Sequence, residues 1–201
     1  MAITTYALLQ TAIGDWLARD DLTARAPDFI TFAEARLNRE LRCRQMVAQA
    51  TGTASTEVIA IVADMIEPIL VRVDDVVIDY RPPTDFYSRD AVNQTSSIAR
   101  YYTVVGAEFR VAPTPTAATA YTIDYYQEIA ALSGTATSNW LLAKWPNIYL
   151  YAALLEAEPF LKNDDRVPLW QQFYTAAKNA INAADQRIKA VSGPQAARIL
   201  V

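Results

Sequence analysis

Hydrophobic positions recur every three or four residues at both ends of the chain, and this spacing predicts a pair of amphipathic helices at each end. The first helix lies near residues 4–20 and has Thr4 or Thr5 available as its N-cap. Its apolar face is formed by Leu9, Ile13, Trp16 and Leu17. The second helix begins near Pro27, a residue suited to a first helical turn, and runs to about Arg42. Its buried stripe is predicted to contain Ile30, Ala33, Leu37 and Leu41.

Helical spacing returns at Asn139 and continues to Val191. The segment NWLLAKW predicts a short helix, because Pro146 ends one helix but can start another. The next helix runs from Pro146 to about Leu161, and Pro159 should bend or end it. The last and longest helix is predicted from about Asp165, with an apolar stripe that contains Trp170, Phe173 or Tyr174, Ala177, Ile181, Ala184, Ile188 and Val191. Its length suits the spine of a helical body.

Between the two helical ends the period changes to two, which predicts β-strands. Strand patterns are seen from Gln45 to Thr53 and in EVIAIV, PILVRV, VVIDY, RYYTVV, EFRVA and AYTIDYYQEI. Asp74-Asp75 and Gly106-Ala107 fall between such runs and predict two hairpin turns. A short helix is expected from Thr84 to Val92, with Thr84 as its cap.

These elements predict an α+β fold in which the two ends pack on each other. Residues 1–44 and 134–192 would form a four-helix body, and residues 45–133 an inserted antiparallel β module, either a small barrel or a sandwich. Residues 193–201, which we call the tail, begin with the Gly-Pro break and would lie outside the helical body.

The composition and the first residues argue against some classes of protein. The 18 basic and 22 acidic residues give a net charge of −4, which argues against a protein that binds nucleic acid by neutralising phosphates. The first residues lack both a positive leader and a continuous apolar run, so neither a signal peptide nor a membrane span is expected, and the chain should be made in the cytoplasm.

Catalytic signatures are absent from the sequence. It has no histidine, one cysteine (Cys43), no G-x-S-x-G and no phosphate-binding G-x-x-x-x-G-K-[ST] motif. The acidic residues Asp64, Asp74, Asp75 and Asp79 fall in separate turns and strand ends, without the pattern of a calcium loop. We therefore expect no enzyme activity, no cofactor and no metal site.

Arginines recur along one face of the second helix, at Arg36, Arg39 and Arg42, and Arg44 follows just beyond. One interpretation is a solvated face that pairs locally with Glu34 and Glu40. The other is a docking strip for an acidic protein surface or for phosphates, and the acidic balance of the chain favours a protein partner.

Tyrosines are concentrated on the predicted strands, at Tyr101, Tyr102, Tyr121, Tyr125 and Tyr126. Because only Arg100 and Arg110 are near them in sequence, we expect cross-strand packing rather than a single-strand nucleic-acid platform. A protein interface is the alternative.

The tail is the strongest candidate site. Ile199, Leu200 and Val201 end the chain in an apolar triplet, and Arg198 precedes them. A terminus of this kind needs a partner to hold it. We expect it to dock on another protein or on another copy of the chain.

Three blocks resemble a known family: APDFITFAEARLNRELRCRQM, RYYTVVGAEFRVAPTP and NWLLAKWPNIYLYAALLEAEPFLKNDDRVPLWQQFYTAA. They are similar, in order and over nearly the whole chain, to the SU10-like head-tail adaptor proteins of tailed bacteriophages. The third block is the most specific of the three.

The resemblance implies a structural virion protein of the neck, the head-tail interface of the particle. It would form a ring, typically of twelve copies, between the portal protein and the next tail or nozzle protein, and genomic DNA would pass through its lumen without sequence-specific binding. The alternatives are another virion ring component, such as a tail completion protein, and a small-ligand binding domain or hydrolase.

Overall fold

The computed structural model describes residues 2–96, 98–161 and 164–191 of the 201-residue chain. The fold is α+β, as predicted from the sequence. The chain divides into two compact units: unit 1 contains residues 1–45 and 129–201, and unit 2 contains residues 46–128.

Helices make up the regular structure described in unit 1. In chain order, its α-helices are α1 (Tyr6–Leu17), α2 (Ala26–Glu40), α4 (Trp140–Lys144), α5 (Pro146–Glu156) and α6 (Val167–Val191). Short 3-10 turns lie at Asp20–Arg25 and Glu158–Phe160. The Thr5 side chain accepts a hydrogen bond from the backbone N–H of Leu8 and so caps α1.

The core of unit 1 is centred on α5, which packs against α1, α2 and α6. All but four of its eleven residues are buried, because the segment is apolar on every side. The sequence predicts that α6, the longest helix, is the central helix of the body. In the structure the central helix is α5. The four-helix body stays a prediction.

The predicted apolar stripes are largely buried. Leu9, Ile13 and Leu17 of α1 are almost fully buried, whereas Trp16, predicted to share their face, keeps 40% of its surface exposed. In α6, Trp170 and Tyr174 are buried, but Ile188 is 43% exposed. Both exposed residues lie near the C-terminal ends of their helices.

Unit 2 contains the strands β1 (Val47–Ala54), β2 (Val58–Ala60), β3 (Met65–Val73), β4 (Val76–Val77), β5 (Asp79–Tyr80), β6 (Thr95–Ser96), β7 (Tyr101–Val105), β8 (Glu108–Ala112), β9 (Thr114–Pro115) and β10 (Thr119–Gln127). One four-stranded sheet has the order β1-β10-β3-β4, and a second has the order β2-β8-β7-β5. Both contribute to one apolar core, around Val71, Phe109 and Ile123. The long strands pair antiparallel, whereas the two-residue strands β5 and β9 pair parallel to β7 and β6.

Both predicted hairpin turns are present. Asp74 and Asp75 have φ angles of 53° and 58°, the left-handed region that a primed turn requires. Gly106 at the second turn has φ 61°. The predicted helix after Pro82 is shorter than expected: α3 spans Pro83–Tyr87, and Thr84 lies within it rather than capping it. Pro82 and Pro83 start the helix, because proline fits its first turn.

Candidate docking surfaces

The arginine row on α2 is the candidate site that falls within the described residues, and its three members have different environments. Arg36 points its Nε at Oε1 of Glu156 on α5, at 2.6 Å, with both side chains mostly buried. Its guanidinium carbon lies 5.9 Å from the centre of the Tyr174 ring on α6. Arg36 therefore connects α2 to α5 and α6, a contact that stabilises the packing of the helices.

Arg42 completes the end of α2. One of its terminal guanidinium nitrogens donates to the backbone carbonyls of Asn38 and Leu41, at 2.7 and 2.6 Å. The last carbonyls of a helix have no intrahelical partner, so a cation there satisfies them and opposes the negative end of the helix dipole. The position of Arg42 is explained by helix capping.

Arg39 is the exposed member of the row. Within residues 2–96, 98–161 and 164–191, no hydrogen bond or ion pair of its side chain is found. A guanidinium without a protein partner on the surface is available to an acidic group on another molecule. Of the three arginines, Arg39 fits the docking interpretation best.

The other interpretation is local pairing of the arginines with Glu34 and Glu40. The ion pair of Arg36 is with Glu156, although its charge also acts on Glu40. Glu40 accepts hydrogen bonds from the Tyr174 hydroxyl (3.0 Å) and the Lys178 amine (2.8 Å), both on α6. Burial opposes ionisation of Glu40, but these two donors outweigh it and hold the pKa of the carboxyl below its usual value. Burial raises the pKa of the Tyr174 hydroxyl.

Glu34 is 7% exposed and belongs to the interior of unit 1. Its Oε1 accepts a hydrogen bond from the backbone N–H of Leu132 at 2.8 Å, and the Tyr149 hydroxyl lies 3.4 Å away. Burial raises the pKa of the Glu34 carboxyl, although the Leu132 bond partly opposes this. Asn38, one turn further along α2, accepts from the backbone N–H of Ile129 at 2.9 Å. These two side chains fix the segment that returns to unit 1 after β10.

Phe32 is a surface residue that the sequence pattern did not single out. Its side chain is 54% exposed, and it lies seven residues before Arg39, two turns away on the same side of α2. Ala35 lies between them and is also exposed. We call Phe32, Ala35 and Arg39 the outer face of α2. The sequence carries one signal for its exposure: Phe32 falls outside the buried stripe of Ile30, Ala33 and Leu37.

The other predicted docking residues, Arg198, Ile199, Leu200 and Val201, lie outside the described residues.

A depression of about 580 Å³ lies where α6 begins and is lined by Glu158, Pro159, Leu161, Asp164, Asp165, Val167 and Pro168. Asp164 forms an ion pair with Arg166 at 2.6 Å, and the hydrogen bonds of Arg166 lower the pKa of its carboxyl. The same guanidinium donates to the carbonyls of Trp16 and Leu17, at 2.8 and 3.3 Å. Arg166 thus ties the start of α6 to the end of α1, and Asp164 orients it.

The four acidic residues considered for metal or acid-base chemistry have ordinary roles. Asp64 accepts a hydrogen bond from the Tyr125 hydroxyl at 3.2 Å, and Asp79 pairs with Arg81 at 3.6 Å. Asp74 and Asp75 form the first hairpin turn. In the part of the chain that is described, no three metal-binding side chains group closely enough to hold an ion.

The strand tyrosines pack within unit 2. Tyr102 is buried and contacts Tyr80 and Phe109 edge to face, at 5.6 and 5.8 Å between ring centres. Tyr125 is buried as well. Arg110, one of the two cations near them in sequence, pairs with Glu57 and Glu108. Two cations that are distant in sequence, Arg81 and Arg89, place their guanidinium carbons 5.4 and 4.8 Å from the centre of the Tyr101 ring. The ring contacts of Tyr102 are typical of cross-strand packing.

None of the helices among the described residues is long and apolar enough to cross a membrane.

Comparison with known proteins gives one result. A family model described as SU10 adaptor protein matches residues 4–198, which includes both units. No curated protein matches the chain.

Proposed function

The chain belongs to the SU10 adaptor protein family of bacteriophage structural proteins, and from this membership we propose that it is the head-tail adaptor of a tailed phage. The family is one of virion components and not of enzymes. In our proposal the protein lies at the neck of the particle. Twelve copies form a ring that joins the portal to the next tail component, and the genome passes through the lumen.

The observation that carries the proposal is the extent of the family match. It covers residues 4–198, so it rests on the helices and the strands together rather than on one short motif. A match confined to one unit would have been compatible with an adaptor domain attached to a different function.

The surface of unit 1 is consistent with assembly. Subunits of a ring contact each other through two dissimilar surfaces, and the ring closes when the rotation between neighbours permits it. The outer face of α2 offers an aromatic side chain and a cation, the residue types that contribute most to protein interfaces. We propose that this face binds an acidic surface of the portal or of a neighbouring copy, with Arg39 as its central cation.

We assign the second docking element to the tail, as its sequence suggests. Residues 193–201 end in Ile199, Leu200 and Val201, and apolar termini of this kind add buried area when they order on a partner. Local concentration within a particle makes such short segments effective. The helical body and the β module would hold the ring together, and the tail would secure it.

The net charge of −4 suits a channel protein. A strongly basic lumen would bind the phosphates of DNA and slow its passage. The lumen of the proposed ring should therefore be neutral or acidic.

The decisive experiment is to measure the mass and composition of portal complexes isolated from particles. We expect the chain to be present at the stoichiometry of a twelve-membered ring, and imaging of the neck should place it directly against the portal. A complex that lacks the chain, together with a purified chain that stays monomeric when mixed with portal, would reject the proposal. Density at the far end of the tail tube instead would indicate a tail completion protein.

A further inference from the structure

Strand β1 is an outer strand of its sheet and differs from the other outer strands of the two four-stranded sheets. It has eight residues, whereas β2, β4 and β5 have three, two and two. Its sequence, VAQATGTA, contains no charged residue and no proline. Proteins normally protect a long outer strand with a charge, a proline or a covering segment, because its unpaired backbone groups are a template for another strand.

The hydrogen bonds of the sheet show which backbone groups of β1 point outward. The N–H of Asp74 donates to the carbonyl of Ala120 at 2.8 Å, so residue 120 and every second residue after it on β10 bond toward β3. The residues between them, such as Ile123, bond toward β1, where their partners are Ala48, Ala50, Gly52 and Ala54. Val47, Gln49, Thr51 and Thr53 therefore point their N–H and C=O groups away from the sheet.

These outward groups are not used within the described residues. There, the backbone hydrogen bonds of β1 go to β10 and to no other segment. The four residues that carry the outward groups are all exposed. Up to eight donors and acceptors along β1 thus lie in a row that a further strand would match.

The side chains beside this row leave room for apolar groups. Ala48 and Ala50 point to the inner side of the sheet and are only half-buried, although the apolar core of unit 2 lies on that side. The third position on that side, Gly52, is covered by the Tyr121 ring. Small residues next to a core leave space that larger side chains from an adjacent strand can fill. The solvated side carries Gln49, Thr51 and Thr53.

We infer that β1 of each subunit accepts the tail of a neighbouring subunit as an additional strand. The inference rests on the proposed ring and identifies the surface on which the tail docks. Ten residues of the sequence follow Val191, and a fully extended segment of that length spans about 33 Å. Side chains alternate along a strand, so Ala197, Ile199 and Val201 share one face and Arg198 and Leu200 the other. The wholly apolar face fits the small inner residues of β1, and Arg198 stays in solvent.

A tail from a neighbour fits better than β1 of a second copy. Two β1 strands that pair with each other form a two-fold dimer, in which both edges are consumed and no ring can follow. A tail on the β1 strand of the next subunit is a head-to-tail contact that repeats around the ring. It adds main-chain hydrogen bonds for affinity and side-chain fit for specificity.

Paired cysteines test this arrangement directly. We would assemble rings from two variants, Thr51→Cys and Leu200→Cys, which lie on the same side of the proposed strand pair, and oxidise them. The native Cys43 is buried and should not interfere. We expect a covalent dimer that depends on both substitutions. Thr122→Cys, combined with Leu200→Cys, is the matched control. Thr122 lies on β10 opposite Thr51, so it is one strand further from the tail, at roughly 10 Å from residue 200, which is beyond disulfide reach.

A proline at the outer edge tests the same contact without cysteines. Thr51→Pro removes an outward N–H and should leave the melting temperature nearly unchanged. It should nevertheless weaken ring assembly by roughly tenfold or more, as deletion of residues 193–201 should. Ala50→Pro removes a bond to β10 instead and should lower the melting temperature clearly, which checks the assignment of the outward groups.

The outcomes separate this inference from the proposed function. Rings that form normally but give no Thr51–Leu200 disulfide, or give it only within one chain, overturn the inference and leave the adaptor role intact. A disulfide from Thr51→Cys to the portal protein also overturns it. If the wild-type chain forms no ring with its portal, both proposals fail.

Discussion

At the scale of single residues, Gly52 has less room for a side chain than the other glycines that the structure describes. A Cβ atom added there would lie 2.6 to 2.9 Å from the hydroxyl and ring atoms of Tyr121, its partner across β1 and β10. The aromatic ring therefore lies directly over the glycine, a known way of stabilising glycine in a strand.

We predict that Gly52→Ala lowers the free energy of unfolding by about 1 to 2 kcal/mol, because the Tyr121 ring must move. Urea denaturation followed by circular dichroism measures this. Gly134→Ala is the control, since no atom lies within 4 Å of its added Cβ, and its effect should stay within about 0.5 kcal/mol. The double variant Gly52→Ala with Tyr121→Ala should lose less than the sum of the two single losses; strict additivity would contradict the proposed contact.

The pKa of Glu34 connects one buried residue to the pH dependence of stability. Burial raises the folded pKa above the ordinary value of 4.5, so the folded protein holds the proton to higher pH than the unfolded chain does. Stability from this group is therefore fully present below the unfolded pKa and is lost as the pH rises through the folded pKa.

We predict that Glu34→Gln removes this loss. The variant should gain stability relative to wild type as the pH rises from about 4.5 toward neutrality, while its amide oxygen still accepts from Leu132. Unfolding free energies at a series of pH values would show the difference, and two parallel curves would contradict the assignment. Glu34→Ala leaves the Leu132 N–H unpaired and should cost about 1 to 3 kcal/mol at any pH.

At the scale of elements, the first hairpin places two aspartates in a conformation that suits glycine better. Asp74 and Asp75 both have positive φ. A residue with a Cβ pays roughly 1 kcal/mol for that conformation, although aspartate tolerates it better than most residues.

Asp75→Gly should therefore raise the free energy of unfolding by about 0.5 to 1 kcal/mol, because Asp-Gly suits this turn type. Thermal and chemical denaturation would measure the gain. The opposite change at the second hairpin, Gly106→Ala, should destabilise by a similar amount, since Gly106 has φ 61° and open space around it. If both substitutions change the free energy of unfolding in the same direction, or neither changes it, turn conformation does not control the stability of the hairpins.

Local sequence pattern predicted most elements but not how they pair. The α1 and α2 stripes follow from the spacing of apolar residues, and the break at Pro159 follows from proline. The two hairpin turns follow from aspartate and glycine between strand patterns. The sheet order β1-β10-β3-β4 does not, because β1 and β10 are far apart in sequence and their pairing depends on the whole core. The two short parallel pairs gave no local signal, since two-residue strands have no period.

Local sequence pattern places the candidate-site residues on an element but does not identify their side-chain partners, because those partners come from distant segments. The arginine spacing predicts a shared side of one helix, but Arg42 lies beyond the end of α2. Glu156 and Tyr174, which hold Arg36, lie more than a hundred residues away from it in sequence. Glu34 was expected to be solvated with the other charges. Its burial follows from Leu132 and Tyr149, whose approach to α2 no local pattern indicates.

At the scale of the whole molecule, substitutions of Arg36 and Arg39 should distinguish a role in folding from a role in assembly. Arg36→Ala removes the partner of the mostly buried Glu156 and should lower the free energy of unfolding by about 1 kcal/mol. Arg39→Glu changes an exposed side chain and should alter it by no more than about 0.5 kcal/mol.

For binding to a partner, we expect Arg39→Glu to have the larger effect and Arg36→Ala the smaller one. Arg39→Glu is expected to weaken association with the portal or with neighbouring copies, because it reverses the charge that faces the partner. Co-sedimentation of portal with each variant at two salt concentrations measures this. If Arg39→Glu binds like wild type while Phe32→Ala also has no effect, the outer face of α2 is not a docking surface.

The central position of α5 has a consequence for how relatives of this chain can be found. Three helices surround it, and Ile148, Tyr149 and Leu154 are almost fully buried on different sides. A substitution there must be matched by changes in more than one neighbouring helix, so acceptable changes should accumulate slowly. We expect the residues of α5 to be the last recognisable part of the sequence in the most divergent members of the family.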